Sequence, residues 1–202
     1  MFERSIAIAV LRAACAIVAL AAAMPCAAAR PAPAKPVFLV ARDGIDNRRF
    51  EHAVVLLLDR RKEGASGVIV SRPGDTTLAA AFPQSKRLAG RGERLLDGGP
   101  VDPDALAFLF AAKSAVPGTT EVAPGVRMGS DLKLLRKLLD RRDPARGLRV
   151  VAGLTAWGPG QLEAEIARGA WRVVPVDARS LLEIPPDALW SELHARAFPP
   201  GS

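Results

Sequence analysis

"GLTAWGPGQLEAEIARGAWRVVPVD", Gly153 to Asp177, places two tryptophans, a Gly-Pro-Gly corner and a short helical stretch between two apolar runs. The strand entering the stretch is read as ending at Leu154, and Gly158-Pro159-Gly160 turns the chain. Leu162 and Ile166 stand four residues apart, so they share the inward face of a short helix. Gly169 ends that helix before Trp171 opens the next strand, "WRVVPVD". Strand, corner, helix and returning strand make one packing unit. The same glycines also make it a candidate anion site, because backbone N–H groups converge where a helix begins.

Working upstream, "VFLVA" (Val37–Ala41) and "HAVVLLLD" (His52–Asp59) are continuous apolar runs. Such runs predict strands covered on both faces or closed into a barrel. "GVIVS" (Gly67–Ser71) pairs back through the polar loop "RRKEGAS" as a hairpin that "RPGD" ends sharply. "TLAAAF" (Thr77–Phe82) is read as a short helix, and "RLLDGG" (Arg94–Gly99) as a strand running into a double-glycine turn. In "VDPDALAFLFAA" the strand is placed over Leu106–Phe110, and Gly125–Met128 is a brief strand or turn. Ser130 is the predicted cap of "DLKLLRKLLDRR", where Leu132, Leu135, Leu138 and Leu139 share one face and basic residues the other. "LRVVAGL" is a strand, and "PDALWSELHARA" closes with a helix starting at Pro186. Strands come in runs rather than alternating with helices, so the class is α+β.

The chain has 202 residues, half of them hydrophobic, enough for one globular domain over 37–198. Residues 1–29 carry early arginines, an apolar stretch from Ala13 and a small-residue end at Ala27-Ala28-Ala29, the pattern of a secretory signal peptide. Cleavage is expected after Ala29, followed by a Pro-rich linker over 30–36 and a periplasmic or secreted mature chain. The apolar run falls short of the roughly 20 residues of a membrane span. Lipid attachment at Cys26 and an internal start near Met24 are the rival readings. Both cysteines, Cys15 and Cys26, lie in this leader, so the mature chain has no thiol for a disulfide, a nucleophile or a metal.

The formal charge is +7, and losing Glu3, Arg4 and Arg12 with the leader lowers it by one. Arg136, Arg141 and Arg142 form the candidate basic patch for nucleic acid. Acids interrupt such clusters and no aromatic residue interleaves them, which favours solvated surface over base stacking. "GASGV" lacks the final glycine of a nucleophile elbow, so Ser66 is read as a loop residue. His52 and His194 have no metal-ligand spacing. Glu163 and Glu165 lie two apart on a helix and face different directions; Glu163 complements the helix N-terminus. No catalytic residue, metal site or cofactor is predicted.

"FLVA", "GASGVIVSRP", "LLDGGPV" and "GLTAWGPGQLEAEIARGAWRVVPVD", in this order and spacing, resemble the YqgE/AlgH family of bacterial proteins. The resemblance implies a bifurcated, mostly antiparallel sheet folded into a pseudo-barrel with helices packed outside. It implies no established reaction, cofactor or catalytic residue. One branch is named as a regulator of exopolysaccharide production, although nothing here resembles a DNA-reading helix-turn-helix. The usual "NRP" is "SRP" at Ser71, and the usual "GYAGWG" is "GLTAWG". Family members are read as cytoplasmic, so the leader is the largest departure.

The candidate ligand or turn residues are therefore Ser71, Arg72 and Pro73; Gly98, Gly99 and Pro100; and Trp157, Gly158, Pro159, Gly160, Gln161 and Glu163. Three functions are expected in order. The first is an exported, non-enzymatic binding or accessory domain with a protein partner. A cytoplasmic regulator touching nucleic acid is second. Third is an enzyme on a phosphorylated or other anionic substrate held at the glycine turns.

Overall fold

The computed structural model describes residues 35–144 and 146–199. The predicted leader with its two cysteines, and residues 30–34 of the linker, lie outside the described residues. Among the described residues there are ten strands: β1 (Val37–Ala41), β2 (Val54–Arg61), β3 (Gly64–Ile69), β4 (Pro73–Thr77), β5 (Arg94–Asp97), β6 (Val101–Ala111), β7 (Thr119–Ala123), β8 (Val126–Gly129), β9 (Leu148–Trp157) and β10 (Trp171–Pro175). The α-helices among the described residues are α1 (Leu78–Ala81), α2 (Leu132–Leu139), α3 (Gln161–Ala167), α4 (Ala178–Leu182) and α5 (Pro186–Ala197), with short 3-10 helices at Arg48–Phe50 and Lys86–Leu88. The sheet runs β10-β1-β2-β3-β9-β6-β8-β7, and β5 joins β9 while pairing with β4.

The sheet forks at β9. One edge of that strand pairs antiparallel with β6 from Leu148 to Leu154. The other edge pairs first with β5, in parallel at Val151 and Ala152, and then with β3, antiparallel from Thr155 to Trp157. Where β5 leaves that edge and β3 takes over, the turn after β5 fills the gap. The Gly98 amide donates to Ala152 O at 2.7 Å, and Gly98 O accepts from the Ile69 amide at 3.0 Å. A side chain here would meet backbone: a Cβ on Gly98 collides with Gly153 O, and one on Gly153 with Gly99 O. The fork therefore closes only with glycine on both sides of the seam.

Apolar alternation distributes the core. One cluster takes Phe38, Val40, Leu56 and Val68 from the β1–β3 half and Leu96, Leu109, Val126 and Val151 from the other, so it is the inner face of a curled half-barrel. Its helical members, Leu181, Leu182, Leu189 and Leu193, come from α4 and α5. The opposite face of the β1–β3 half, with Leu39, Val55, Ile69 and both corner tryptophans, receives Leu162 of α3. Phe108, Phe110 and Val150 on the other half receive Leu135, Leu138 and Leu139 of α2. Helices thus lie outside the sheet, and the class is α+β.

Several local expectations change. β9 runs on to Trp157 rather than stopping at Leu154, because β3 pairs with residues 155–157. Ser66 lies inside β3, opposite Ala156, and not in a loop. The β2–β3 pairing does end before "RPGD", at Val55 and Ile69, but Pro73 then opens a further strand, β4, which pairs with β5 and lies at an edge where a missing N–H is tolerated. β6 extends back to Val101 across an irregularity between Val101 and Leu106. The cap of α2 is Asp131, whose carboxylate accepts from the Leu134 amide at 2.7 Å, rather than Ser130. β7 and α4 have no strong apolar pattern and are seen only in the structure.

Gly98→Ala is expected to cost at least about 3 kcal/mol, because its Cβ meets backbone that cannot move aside. Gly90→Ala, at a positive φ but in open space, is expected to cost only about 1–2 kcal/mol. Urea unfolding of the two variants beside the parent measures both.

Candidate functional site

The corner is organised by Glu165. Its Oε2 accepts from Trp157 Nε1 at 2.9 Å and from Trp171 Nε1 at 2.8 Å, while Oε1 accepts from Gln161 Nε2 at 3.0 Å. Both indoles are buried, and Phe50 stacks on Trp157 and meets Trp171 edge-on. One carboxylate thus satisfies two indole N–H groups that water does not reach. The Gly-Pro-Gly turn satisfies itself in the same way. Gly158 N–H donates to Gln161 Oε1 at 3.1 Å, and the Gln161 amide donates to Gly158 O at 3.1 Å. Gly160 sits at φ 71 and has no side chain to offer as a cap.

Glu163 points the other way, as its spacing from Glu165 requires. It accepts from Arg60 Nε at 2.9 Å at the tip of the β2–β3 hairpin. That hydrogen bond, with a backbone hydrogen bond and the charge of Arg60, holds the Glu163 carboxyl below the usual carboxylate range against a smaller opposing effect of desolvation. Arg60, Arg61 and Lys62 face Gly160 and Glu163 across a wide, open depression.

Ser71, Arg72 and Pro73 gather with Gly98, Gly99 and Pro100 at the fork, away from the corner. Along β9 the two groups are separated by the four steps from Gly153 to Trp157, about 13 Å at strand rise. Ser71 Oγ accepts from the Val54 amide at 2.9 Å and donates to His52 O at 3.2 Å, pinning the start of β2. Arg72 donates to Arg49 O and Glu51 O, and lies 4.0 Å from Asp97. Asp97 in turn accepts from the Gly99 amide at 3.1 Å. The amides of Gly98 and Gly99 are therefore both committed within the protein, and neither glycine is exposed.

The two histidines sit on either side of Trp190. His52 is not part of β2 but stands before it at φ 53, its ring 4.1 Å from that of Trp190. His194 lies 4.5 Å from Trp190 and stacks on Phe198. Arg136, Arg141 and Arg142 are exposed along and just beyond α2. Among the described residues no group of three or more His, Cys, Asp or Glu is placed to hold a metal ion.

A different feature lies at the border of the inner cluster of the half-barrel: a cleft of about 540 Å³ lined from β2, β7 and β8. Leu58, Val122 and Met128 supply apolar walls, and Asp59, Arg61 and Glu121 supply charge. Its volume lies within the ordinary range of small-ligand sites. Sequence reading missed it because its walls come from strands whose adjacency only the curled sheet creates.

Residues 38–199 match the family model described as AlgH-like. A UPF0301 protein of Anaeromyxobacter sp. (strain K) is 34% identical over 170 residues, covering 79% of this chain and 86% of the relative. One from Streptomyces coelicolor is 36% identical over 166 residues, covering 78% and 83%. The solution structure of the AlgH protein from Pseudomonas aeruginosa superposes with a TM-score of 0.62 at 26% identity, over 83% of this chain and 90% of that one. A crystal structure of a Corynebacterium diphtheriae protein gives 0.66 at 24% identity, over 85% and 91%, a likeness of fold.

Glu165→Ala leaves two buried indole donors without an acceptor and is expected to destabilise the protein by about 2 kcal/mol or more. Chemical denaturation followed by tryptophan fluorescence measures it. Arg60→Ala is expected to raise the Glu163 pKa, read by carbon-detected NMR titration. The depressed carboxyl makes its contribution above the unfolded carboxylate range and loses it as pH falls through the folded value. In Arg60→Ala that contribution is smaller, and its loss is complete at a higher pH.

Proposed function

Because the chain belongs to the AlgH-like family, we propose that it acts as an exported, non-enzymatic binding or accessory domain, with the half-barrel cleft as its binding surface. The observation that carries the binding role is the cleft between β2 and the β7–β8 edge, with apolar walls and charges of both signs at its border. Such a surface fits a protein segment: aliphatic side chains enter, and Arg61 and Glu121 fix register. Export rests on the leader pattern in residues 1–29.

Catalysis on an anionic substrate at the glycine turns draws less support. Gly98 and Gly99 spend their amides on Ala152 and Asp97, and Gly158 spends its own on Gln161. A nucleic-acid role is favoured by one observation: no ion pair within 4.0 Å joins Arg136, Arg141 or Arg142 to an acid among the described residues. That patch keeps a cytoplasmic regulator as the second reading.

Intact-mass analysis of the native protein is expected to find a chain beginning at Arg30 in the periplasmic or secreted fraction; an intact Met1 in the cytosol rejects export. A photo-crosslinking residue at Thr120 is expected to capture a partner that Met128→Glu abolishes, while one at Ala195 captures none. Equal capture at both positions rejects the cleft. Retardation of DNA or RNA that weakens steeply with salt and is lost in the triple alanine variant of Arg136, Arg141 and Arg142 would establish the second reading instead.

A further inference from the structure

A second cleft, of about 490 Å³, lies between β5, β9 and the α4–α5 turn, and shares no lining residue with the first. Two arginines line it. β5 and β9 run parallel with Leu96 opposite Val151, and Arg94 and Arg149 each lie two residues before that pair, both lining the cleft. Like charges on neighbouring strands repel, and among the described residues no carboxylate lies within 4.0 Å of either guanidinium.

Both arginines are held instead by main-chain carbonyls. Arg149 donates to Leu148 O, to Leu182 O at 3.0 Å and to Ile184 O at 3.4 Å, closing the C-terminal end of α4. Arg94 donates from Nη1 to Gly74 O and Asp75 O, each at 3.0 Å. A guanidinium has five N–H donors, so each keeps donors unspent while its orientation is already fixed. Burial also pulls the Arg149 pKa below its ordinary value, the direction expected of a cation without a counter-charge. The first turn of α5 opens onto the same cleft at Pro185 and Pro186, with no side-chain cap.

The remaining walls decide what kind of anion suits the site. Leu78, Leu96, Val150 and Pro185 are apolar, whereas Glu93, Glu183 and Asp187 place three carboxylates around the arginines. Those acids oppose a polyanion or a dianionic phosphate, and the apolar walls call for a ligand with a hydrocarbon body. We propose that this cleft binds a small organic carboxylate, its oxygens docked on Arg94 and Arg149 and its apolar body against Leu78, Leu96 and Pro185. Planar guanidinium donors match the two oxygens of a carboxylate, and a neutral amide cannot replace that charge. The site stands independently of the half-barrel reading.

The test is NMR of the ¹⁵N-labelled full chain, observing arginine Nε–Hε signals during titration with phenylacetate, phenylacetamide and inorganic phosphate. Phenylacetate is expected to shift the Arg94 and Arg149 signals saturably, with phenylacetamide and phosphate at least about tenfold weaker. Arg94→Gln is expected to weaken phenylacetate at least about tenfold while keeping a folded spectrum. Arg149→Gln should do the same, but it also removes the closure of α4, so Arg94→Gln decides if that variant unfolds. Absence of saturable shifts, equal binding of the amide, tighter binding of phosphate, or unchanged affinity in Arg94→Gln each overturns the proposal.

Discussion

The architecture depends on a backbone contact with no side chain in it. β9 serves β6 on one edge and both β5 and β3 on the other, and the hand-over between the last two is made by Gly98, bonded to Ala152 and Ile69. If that seam opened, only the short β3–β9 ladder, Ala65–Gly67 against Thr155–Trp157, would join the two halves, and the inner cluster fed by both would lose part of its common wall. Ser71, Arg72 and Asp97 support the seam from outside by tying the starts of β2 and β4 to the turn. The motif residues at this place act as joints. Their polar groups are consumed by the protein, which explains how a serine stands where the family pattern has asparagine: its hydroxyl both accepts and donates.

The tryptophan corner is a second joint of a different kind. There the constraint is electrostatic, a carboxylate oxygen between two indole N–H groups inside an aromatic cluster. It fixes α3 against the outer face of the β1–β3 half and leaves Glu163 on the opposite side to meet Arg60. The two clefts lie elsewhere, one bordering the inner cluster beside β2, β7 and β8 and the other where β5 meets the α4–α5 turn. Both clefts are made of residues whose sequence neighbourhoods are ordinary.

That contrast explains what was legible in the sequence. β1, β2 and β9 announce themselves as apolar runs, α2 by its leucine spacing, and the fork region by its double glycine. The order of those blocks carries the resemblance, and with it the half-barrel. β4 and β7 were hidden because "PGDTT" and "TTEVA" lie largely exposed and lack the apolar density of a buried strand. Glu165 could not be singled out, since its partners stand eight residues before and six after it and meet only once the corner folds. Arg149 did leave a trace, as the one charge inside "LRVVAGL". Its meaning needed β5 alongside, and nothing in the sequence shows that β5 joins β9 in parallel.

The position of β9 in the chain also governs the order of assembly. β1, β2 and β3 form a meander, and β8 lies between β6 and β7 in a second three-strand array, but the strand hydrogen-bonded to both spans residues 148–157. Until that segment is available, an emerging chain holds two open hairpin arrays with unpaired edges, β3 on one side and β6 on the other. Closure through such distant pairings is intrinsically slow. The single continuous sheet can therefore be completed only after residues 148–157 have been made.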